Sequence, residues 1–152
     1  MDWSIKKFNE LKAEELYEIL ALRNKVFIVE QECAYLDCDN KDLKSYHLFC
    51  TKDRKIIAYL RILEKGVSYD EISIGRVLVE KDYRGYGIAR EMLLKAIEFI
   101  KNHLKGDTIK IQAQAYLFDF YSNLGFKAVS GEYLEDNIPH IDMLYKNNRN
   151  VL

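Results

Sequence analysis

The sequence predicts a mixed α/β fold in which helices flank one central sheet. Short apolar runs bounded by turn signals alternate with longer segments whose apolar residues recur every three to four positions. Apolar residues make up 49% of the 152 residues, enough to build a core, and we expect residues 1–152 to form a single domain. The order of the predicted elements, β-α-(α)-β-β-β-α-β-α-β-β, is typical of a layered α/β architecture.

The first part of the chain contains one predicted strand and one long predicted helix. Residues 3–8 alternate as a strand does, and the apolar residues of segment 13–28 keep helical spacing. Residues 32–46 are polar, acidic and irregular. We therefore expect this last segment to be a loop.

A hairpin follows the irregular segment. Residues 47–51 and 56–63 are apolar runs, and the polar residues 52–55 separate them, which predicts a four-residue turn. The remaining predicted elements are a strand at 73–79, a helix at 88–104, a strand at 108–113, a short helix at 117–124 that ends at Gly125, and closing strands at 127–129 and 141–145.

The most informative stretch is the turn between the strand at 73–79 and the helix that follows it. Arg84, Gly85 and Gly87 lie immediately before that helix. Glycine lets the backbone turn sharply and approach a ligand closely. The free N–H groups at a helix start favour an anion, and arginine adds a fork of donors that matches phosphate oxygens.

The glycine turn (residues 84–87) therefore predicts a phosphate-binding site. Position 90 is Arg90 rather than a third glycine, which argues against a dinucleotide-binding motif. The Gly-Lys-Ser/Thr of a P-loop is also missing after it. The structural alternative is a strand–helix turn that needs glycine for its conformation alone.

Several segments together resemble the GCN5-related N-acetyltransferases, the GNAT superfamily, and within it the ElaA-like branch. Residues 84–89 match the Gln/Arg-x-x-Gly-x-Gly/Ala signature, and residues 120–126 match the second motif, Phe-Tyr-x-x-x-Gly-Phe. The segments that resemble the ElaA-like branch are 22–31, 58–63, 74–77, 113–115 and 135–143. The resemblance covers nearly the whole chain.

The resemblance implies transfer of an acyl group, most simply acetyl from acetyl-CoA, to a primary amine by direct attack in a ternary complex. It also implies a GNAT-type sheet whose splayed strands form the acyl-CoA cleft. Gln114 stands where many relatives have an asparagine that bonds the pantetheine arm of CoA. The expected cofactor-binding residues are Val77, Leu78, Val79, Arg84, Gly85, Tyr86, Gly87, Ile88, Ala89, Gln114 and Phe120.

The same resemblance suggests catalytic groups. Tyr121 matches the general acid that protonates the departing thiolate, although its alternative role is that of a core tyrosine. A backbone amide of residues 77–79 would stabilise the oxyanion. The base that deprotonates the amine is open: Glu30 ranks first, and His140, Glu135 and Asp37 are the other candidates.

Three arginines that interrupt apolar segments are candidate acceptor-binding residues. Buried arginine is costly unless it is paired, so Arg23, Arg61 and Arg76 either bind a carboxylate of the acceptor or form structural ion pairs. Gln31 and His140 are the further residues expected on the acceptor side. His140 follows the single proline, which predicts a turn there.

Charge and composition limit the partners. The net charge is −1, so the chain lacks the excess of positive charge that is typical of proteins that bind nucleic acid or an anionic membrane surface. We expect neither as a partner. The N-terminus lacks a signal-peptide core, and three cysteines cannot all pair internally, so we expect reduced thiols and a cytoplasmic location. Cys33, Cys38, His47 and Cys50 could in principle bind zinc, but their spacing is not that of a usual zinc finger, so we expect no metal. Many relatives form homodimers, and that assembly remains open for this chain.

Two other functions remain open at this stage. Residues 22–27 also resemble acyl-homoserine lactone synthases, which share the fold and take their donor from an acyl-carrier protein. A non-catalytic acyl-CoA-binding module is the second alternative. The sequence leaves the amine acceptor and the acyl chain length undetermined.

Overall fold

The computed structural model describes residues 1–147, in which one eight-stranded sheet carries three α-helices. The strands are β1 (Asp2–Lys7), β2 (Ser45–Lys52), β3 (Lys55–Leu63), β4 (Ile72–Val79), β5 (Thr108–Gln114), β6 (Lys127–Ala128), β7 (Tyr133–Glu135) and β8 (Ile138–Lys146). The helices are α1 (Ala13–Arg23), α2 (Ile88–Asn102) and α3 (Phe118–Asn123).

The strands follow the order β1-β2-β3-β4-β5-β8-β6, and β7 pairs with β8. Neighbouring strands are antiparallel except β4 and β5, which are parallel. This architecture confirms the predicted mixed α/β fold.

The helices cover both faces of the sheet. The amphipathic helix α2 packs Met92 and Leu93, both completely buried, into the main core, which also contains Leu60. Helix α1 packs against a second cluster that includes Tyr59. Successive strand residues point to opposite faces, so Leu60 and Tyr59 mark the α2 side and the α1 side of β3.

Two hairpin turns differ from the prediction. Lys52 pairs with Lys55, so the β2–β3 turn has two residues, Asp53 and Arg54, at φ +50° and +65°, and the predicted four-residue turn is wrong. A two-residue turn in which both residues have positive φ has a backbone twist that matches the right-handed twist of the flanking strands. The β7–β8 turn, residues 136–137, has the same character, with φ values of +52° and +62°.

The second hairpin changes the setting of His140. Strand β8 begins at Ile138, so Pro139 and His140 lie within a strand, and the turn predicted at the proline is wrong. Pro139 pairs with Leu134 of the three-residue strand β7, at the end of the sheet where a missing N–H is tolerated.

The sheet divides between β4 and β5. Their pairing is limited to Ile72 with Ile109 and Ser73 with Lys110, after which the strands diverge. The β3–β4 register also shifts, leaving an extra residue on β4 near Arg76, whose φ is +53°. The divergence confirms the splayed strands that the family resemblance implied.

Helix α1 continues as a π-helical segment, Asn24–Glu30, which is followed by a connecting loop (residues 31–40) without regular structure. Arg23, completely buried at the end of α1, holds this loop: its Nε lies 2.9 Å from Asp37 Oδ2 and its Nη2 donates to the carbonyl of Asp37 at 3.0 Å. Its Nη1 donates to Asp42 Oδ1 at 2.8 Å.

Two more arginines extend this contact into an arginine–aspartate cluster. Arg61 of β3 pairs with both carboxylate oxygens of Asp39, at 2.8 and 2.7 Å, and with Asp42 at 2.9 Å. Arg76 of β4 lies 2.8 Å from Asp37 and 3.5 Å from Asp39. The cluster comprises Arg23, Arg61, Arg76, Asp37, Asp39 and Asp42.

A buried histidine completes the cluster without adding charge. His47 Nε2 lies 2.9 Å from the carbonyl of Asp42, which can only accept, so Nε2 carries the hydrogen and Nδ1 accepts from the Tyr59 hydroxyl at 2.7 Å. Burial lowers the pKa of His47, which keeps the ring neutral beside the two buried arginines. His47 therefore has a structural role in the cluster.

We expect Arg61→Ala to lower the free energy of unfolding by about 3 kcal/mol or more, because it leaves Asp39 without its main partner and Asp42 with Arg23 alone. Chemical denaturation measures the change. Arg54→Ala, at an exposed turn position, is the matched control and should change stability by less than about 0.5 kcal/mol. Equal effects of the two variants would contradict the structural role of the cluster.

The cluster also predicts acid sensitivity. Burial opposes the ionisation of Asp39, but hydrogen bonding and attraction from Arg61 outweigh it and lower the pKa of this carboxyl well below its usual value. The stabilisation is therefore complete above the unfolded-state pKa of about 3.9 and declines as pH falls below it. Asp39→Asn should flatten the dependence of unfolding free energy on pH between about 2 and 4. The exposed-turn control, Asp53→Asn, should retain the wild-type slope.

Candidate active site

A cavity of about 690 Å³ opens where β4 and β5 diverge. One wall is β4 from Ser73 to Val79, and the opposite wall is the end of β5 together with α3. The π-helical segment, the connecting loop and the β7–β8 hairpin border the cavity on the α1 side of the sheet. Its walls thus come from elements far apart in the sequence.

The edge of β4 is the extended surface in this cavity. Val77, Leu78 and Val79 all line it, and these residues lie beyond the last β4–β5 pair. An unpaired strand edge offers backbone donors and acceptors to an extended ligand, which adds to the sheet like another strand.

The glycine turn lies at the end of this edge. Gly85 and Gly87 have φ values of +87° and +79°, and α2 begins immediately afterwards at Ile88. No described atom lies within 4 Å of the place where a Cβ on either glycine would stand. A second cavity of about 210 Å³ borders the turn and shares Arg84, Ala89 and Phe120 with the larger one. The turn has both the conformation and the open space that a phosphate group needs.

Arg84 is anchored beside the turn by two contacts. Its Nε donates to the carbonyl of Val79 at 2.8 Å, and its two terminal nitrogens donate to Glu30 at 2.7 and 3.1 Å. The structure thus joins two residues that the sequence analysis assigned separately to the donor and to the base. Both side chains are partly exposed, so this ion pair is weak and can exchange with another anion.

The next residue reaches the opposite wall. Gln31 and Gln114 exchange two amide hydrogen bonds, at 3.2 and 3.4 Å. Glu30 and Gln31 therefore connect the end of the π-helical segment to the glycine turn and to the end of β5. Both glutamines line the large cavity, as expected, with their amides engaged with each other.

Tyr121 is held rigidly in α3. Its ring makes edge contacts with Phe120 and Phe126, and the residue is 5% exposed yet lines the cavity. Gly125, at φ +104°, ends the helix: its N–H donates to Ser122 and that of Phe126 to Tyr121, as in a Schellman motif. Burial raises the pKa of the Tyr121 hydroxyl above its usual range, so the group stays protonated at neutral pH.

Three residues that the sequence analysis assigned to the site do not line the large cavity. Tyr86 is 77% exposed and lines neither cavity, so only its backbone belongs to the turn. Arg23 lies beneath the cavity, and Asp37 is also outside its lining. Asp37 accepts hydrogen bonds from Arg23 and from the Tyr35 hydroxyl, which leaves it poorly placed to act as a base.

The hypothesis that the arginines bind an acceptor carboxylate also needs correction. Arg61 and Arg76 line the cavity, but three aspartates already balance the three arginines of the cluster. Their primary contacts are the structural ion pairs that the sequence analysis gave as the alternative. The Arg61 guanidinium is not fully hydrogen-bonded by these ion pairs, because its Nε is buried without a hydrogen-bond partner among the described residues.

His140 and Glu135, two of the candidate bases, line the cavity. The sequence analysis missed other lining residues, because no local motif shows which segments the fold brings to the cavity. The polar ones among them include Tyr35, Asp39, Lys41, Tyr69, Ser73 and Tyr116.

Within residues 1–147, no group of three His, Cys, Asp or Glu side chains is arranged to hold a metal ion. No helix in the described part of the chain combines the length and the apolar character needed to cross a membrane.

Comparison with known proteins is consistent with this geometry. Residues 9–146 match the model of the acetyltransferase (GNAT) domain. A UPF0039 protein from Synechocystis is 40% identical over 147 residues, which cover 96% of each chain. The ElaA protein of Escherichia coli is 37% identical over 145 residues, which cover 94% of this chain and 95% of ElaA.

Solved structures give the same result. An acyl-CoA N-acyltransferase from Pseudomonas aeruginosa superimposes with a TM-score of 0.89 at 36% identity, covering 95% of this chain and 99% of that protein. The crystal structure of Escherichia coli ElaA also gives a TM-score of 0.89, at 35% identity, covering 96% of this chain and all of ElaA.

The fold extends to more distant proteins. An aminoglycoside 6'-N-acetyltransferase complexed with coenzyme A gives a TM-score of 0.72 at 15% identity, covering 96% of this chain and 97% of that protein. The acyl-homoserine lactone synthase LasI gives 0.77 at 14% identity, covering 95% and 89%. At these identities the likeness concerns the fold alone.

Proposed function

The chain belongs to the GNAT acetyltransferase family, and on that premise we propose that it is an N-acyltransferase that moves the acetyl group of acetyl-CoA to a primary amine. The observation that carries the proposal is the unpaired edge of β4, which leads directly into the glycine turn at the start of α2. An extended arm that ends in a pyrophosphate fits that succession of features.

The donor substrate would be held mainly by backbone groups. The pantetheine arm pairs with Val77–Val79, and the pyrophosphate lies at the glycine turn, where the N–H groups at the start of α2 and the Arg84 guanidinium offer donors. Phe120 and Ala89, which border both cavities, pack against the arm where it passes between them.

The reaction needs stabilisation of a developing oxyanion and of a leaving thiolate. A backbone N–H of Val77–Val79 would polarise the thioester carbonyl, an effect worth about 3 kcal/mol for one donor. The Tyr121 hydroxyl is the proton donor to the thiolate, because burial keeps it protonated and its residue lines the cavity.

Release of free thiol from acetyl-CoA, measured with a lysine-containing peptide, spermidine, serine and kanamycin as acceptors, tests the proposed function. Turnover with any of these amines supports it, and mass spectrometry of the product identifies the acylated nitrogen. Binding of acetyl-CoA without turnover of any amine would favour the non-catalytic module. Product formation only with S-adenosylmethionine and an acyl-carrier protein would favour the synthase.

We expect Arg84→Ala to weaken acetyl-CoA binding at least tenfold, about 1.4 kcal/mol, because it removes the guanidinium beside the glycine turn. Isothermal titration calorimetry measures the change. Glu30→Gln should bind at least as tightly as the wild type, because it removes the carboxylate that competes for Arg84.

Glu32→Gln, outside the cavity lining, is the charge-matched control and should leave the affinity unchanged. Two results would contradict this assignment of Arg84: wild-type affinity in Arg84→Ala, or a tenfold loss in Glu30→Gln.

We expect Tyr121→Phe to lower kcat by about 10- to 100-fold with little change in the Kd of acetyl-CoA, because the variant loses only the proton donor. The effect is moderate, since a thiolate is a tolerable leaving group at neutral pH. Tyr116→Phe, an exposed tyrosine that also lines the cavity, is the matched control. A Tyr121→Phe variant with wild-type kcat would leave Tyr121 as a packing residue only.

A further inference from the structure

The acceptor side of the cavity contains several groups able to take a proton, and some of them already have partners. Glu30 accepts from Arg84 at 2.7 and 3.1 Å, and Asp39 accepts from Arg61 at 2.7 and 2.8 Å. The hydrogen bonds and positive charge of Arg61 stabilise the ionised form of Asp39, so this carboxylate is a weak base. The Cys33 thiol lies 3.2 Å from a backbone carbonyl in the β7–β8 turn.

His140 is arranged differently, because only one of its ring nitrogens is engaged. Its Nδ1 lies 2.6 Å from the carbonyl oxygen of Ile138. A carbonyl oxygen can only accept a hydrogen bond, so Nδ1 carries the hydrogen and the neutral ring keeps its lone pair at Nε2. Among residues 1–147, no side chain or backbone group bonds Nε2, and His140 lines the cavity while being 9% exposed.

The surroundings fix the ring in this orientation. His140 pairs with Gln114 of β5 on one side and with Tyr133 of β7 on the other. The rings of His140 and Tyr133 stack, with centroids 6.3 Å apart. The ring is therefore positioned by two neighbouring strands rather than by a mobile loop.

His140 and Tyr121 lie on opposite sides of the divided sheet. Tyr121 belongs to the main core together with Met143, on the α2 side. Residues of β8 alternate between faces, so His140 points to the α1 side, where Gln114 bonds Gln31 of the connecting loop. A thioester lying between β4 and β5 would have Tyr121 on the side of the leaving sulfur and His140 on the acceptor side.

We propose that His140 is the general base of the reaction and that its Nε2 takes the proton that the acceptor amine loses, directly or through one water molecule. The inference rests on the proposed function and replaces Glu30, the first-ranked candidate from the sequence, in this role. Glu30 lies against Arg84 at the glycine turn, on the pyrophosphate side of the donor site.

The proposed step is balanced in protons and electrons. An ammonium acceptor first loses one proton to water, and the lone pair of the neutral amine forms the C–N bond at the thioester carbon. His140 Nε2 takes the second proton as the carbonyl re-forms and the C–S bond breaks, leaving its electron pair on sulfur. Tyr121 gives a proton to the thiolate, and the imidazolium and phenolate then exchange one proton through solvent.

Charged groups on several elements face the cavity that His140 lines. Across the cavity lie carboxylates on the π-helical segment, the connecting loop and the β7–β8 hairpin, and cations on β3, β4 and the glycine turn. Asp142 of β8 accepts a hydrogen bond from the Tyr133 hydroxyl next to the ring. The charged groups that face the same cavity are Glu30, Asp39, Glu135, Asp136, Lys41, Arg61, Arg76 and Arg84.

The tautomer can be tested without any acceptor. In ¹⁵N-histidine-labelled wild-type protein at neutral to slightly alkaline pH, NMR should show His140 with its hydrogen on Nδ1 and a free lone pair on Nε2. His47 should show the opposite tautomer, with the hydrogen on Nε2, and serves as an internal control. A hydrogen on Nε2 of neutral His140 would overturn the proposal.

Kinetics test the role itself, with the amine of the panel above that gives the highest kcat/KM. We expect His140→Gln to lower kcat/KM about 100-fold or more and to change the Kd of acetyl-CoA less than twofold. In the pH profile of kcat/KM, the variant should keep the rise that comes from ionisation of the acceptor amine and lose the additional dependence on an unprotonated enzyme base. His103→Gln, at the C-terminus of α2, is the matched control and should retain the wild-type rate and profile.

The outcomes separate the two proposals. A His140→Gln variant within threefold of an active wild type, or one that loses activity only through donor affinity, overturns the base assignment and leaves the proposed function standing. A wild-type protein that binds acetyl-CoA but acylates no amine overturns the proposed function, and the base assignment falls with it. If His140→Gln misfolds, His140→Asn replaces it in the same comparison.

Discussion

The arginine–aspartate cluster is the interaction on which the rest of the cleft depends. Three buried or half-buried guanidinium groups would be very costly in this interior without counter-charges, and three aspartates from one short stretch provide them. Arg76 occupies the left-handed backbone position where β4 changes register, so its ion pairs connect the bulge to the connecting loop. The same ion pairs therefore hold the connecting loop and the bulge of β4 together. Both of these elements border the cavity.

The local features of this arrangement could be predicted from the sequence. The left-handed glycines before α2, the amphipathic face of that helix and the glycine that ends α3 each follow from a few adjacent residues. Two turns escaped prediction because Asp53–Arg54 and Asp136–Asn137 adopt positive φ without a glycine to announce it. The unusual arginines could be recognised as costly, but nothing local identifies their partners.

The least predictable features were contacts between residues far apart in the chain. Arg84 was assigned to the donor and Glu30 to the role of the base, and in the structure they bind each other across 54 positions. Gln31 and Gln114 do the same across 83 positions. A motif describes what a residue type can bind, whereas the folded chain decides which partner is already within reach. That distinction is why the choice of base moves from a carboxylate to an imidazole.

The division of the sheet has a further consequence for which molecules can reach the free strand edge. Strand edges normally invite pairing with other proteins, and natural folds hide or charge them. Here the free edge of β4 lies inside the sheet, with α3 and the glycine turn at one side and the connecting loop at the other. A second polypeptide strand, with side chains on both faces, would have to displace these elements in order to pair. A narrow ligand that carries amide groups, such as the proposed pantetheine arm, meets less obstruction, so the position of this edge favours such a ligand over a polypeptide strand.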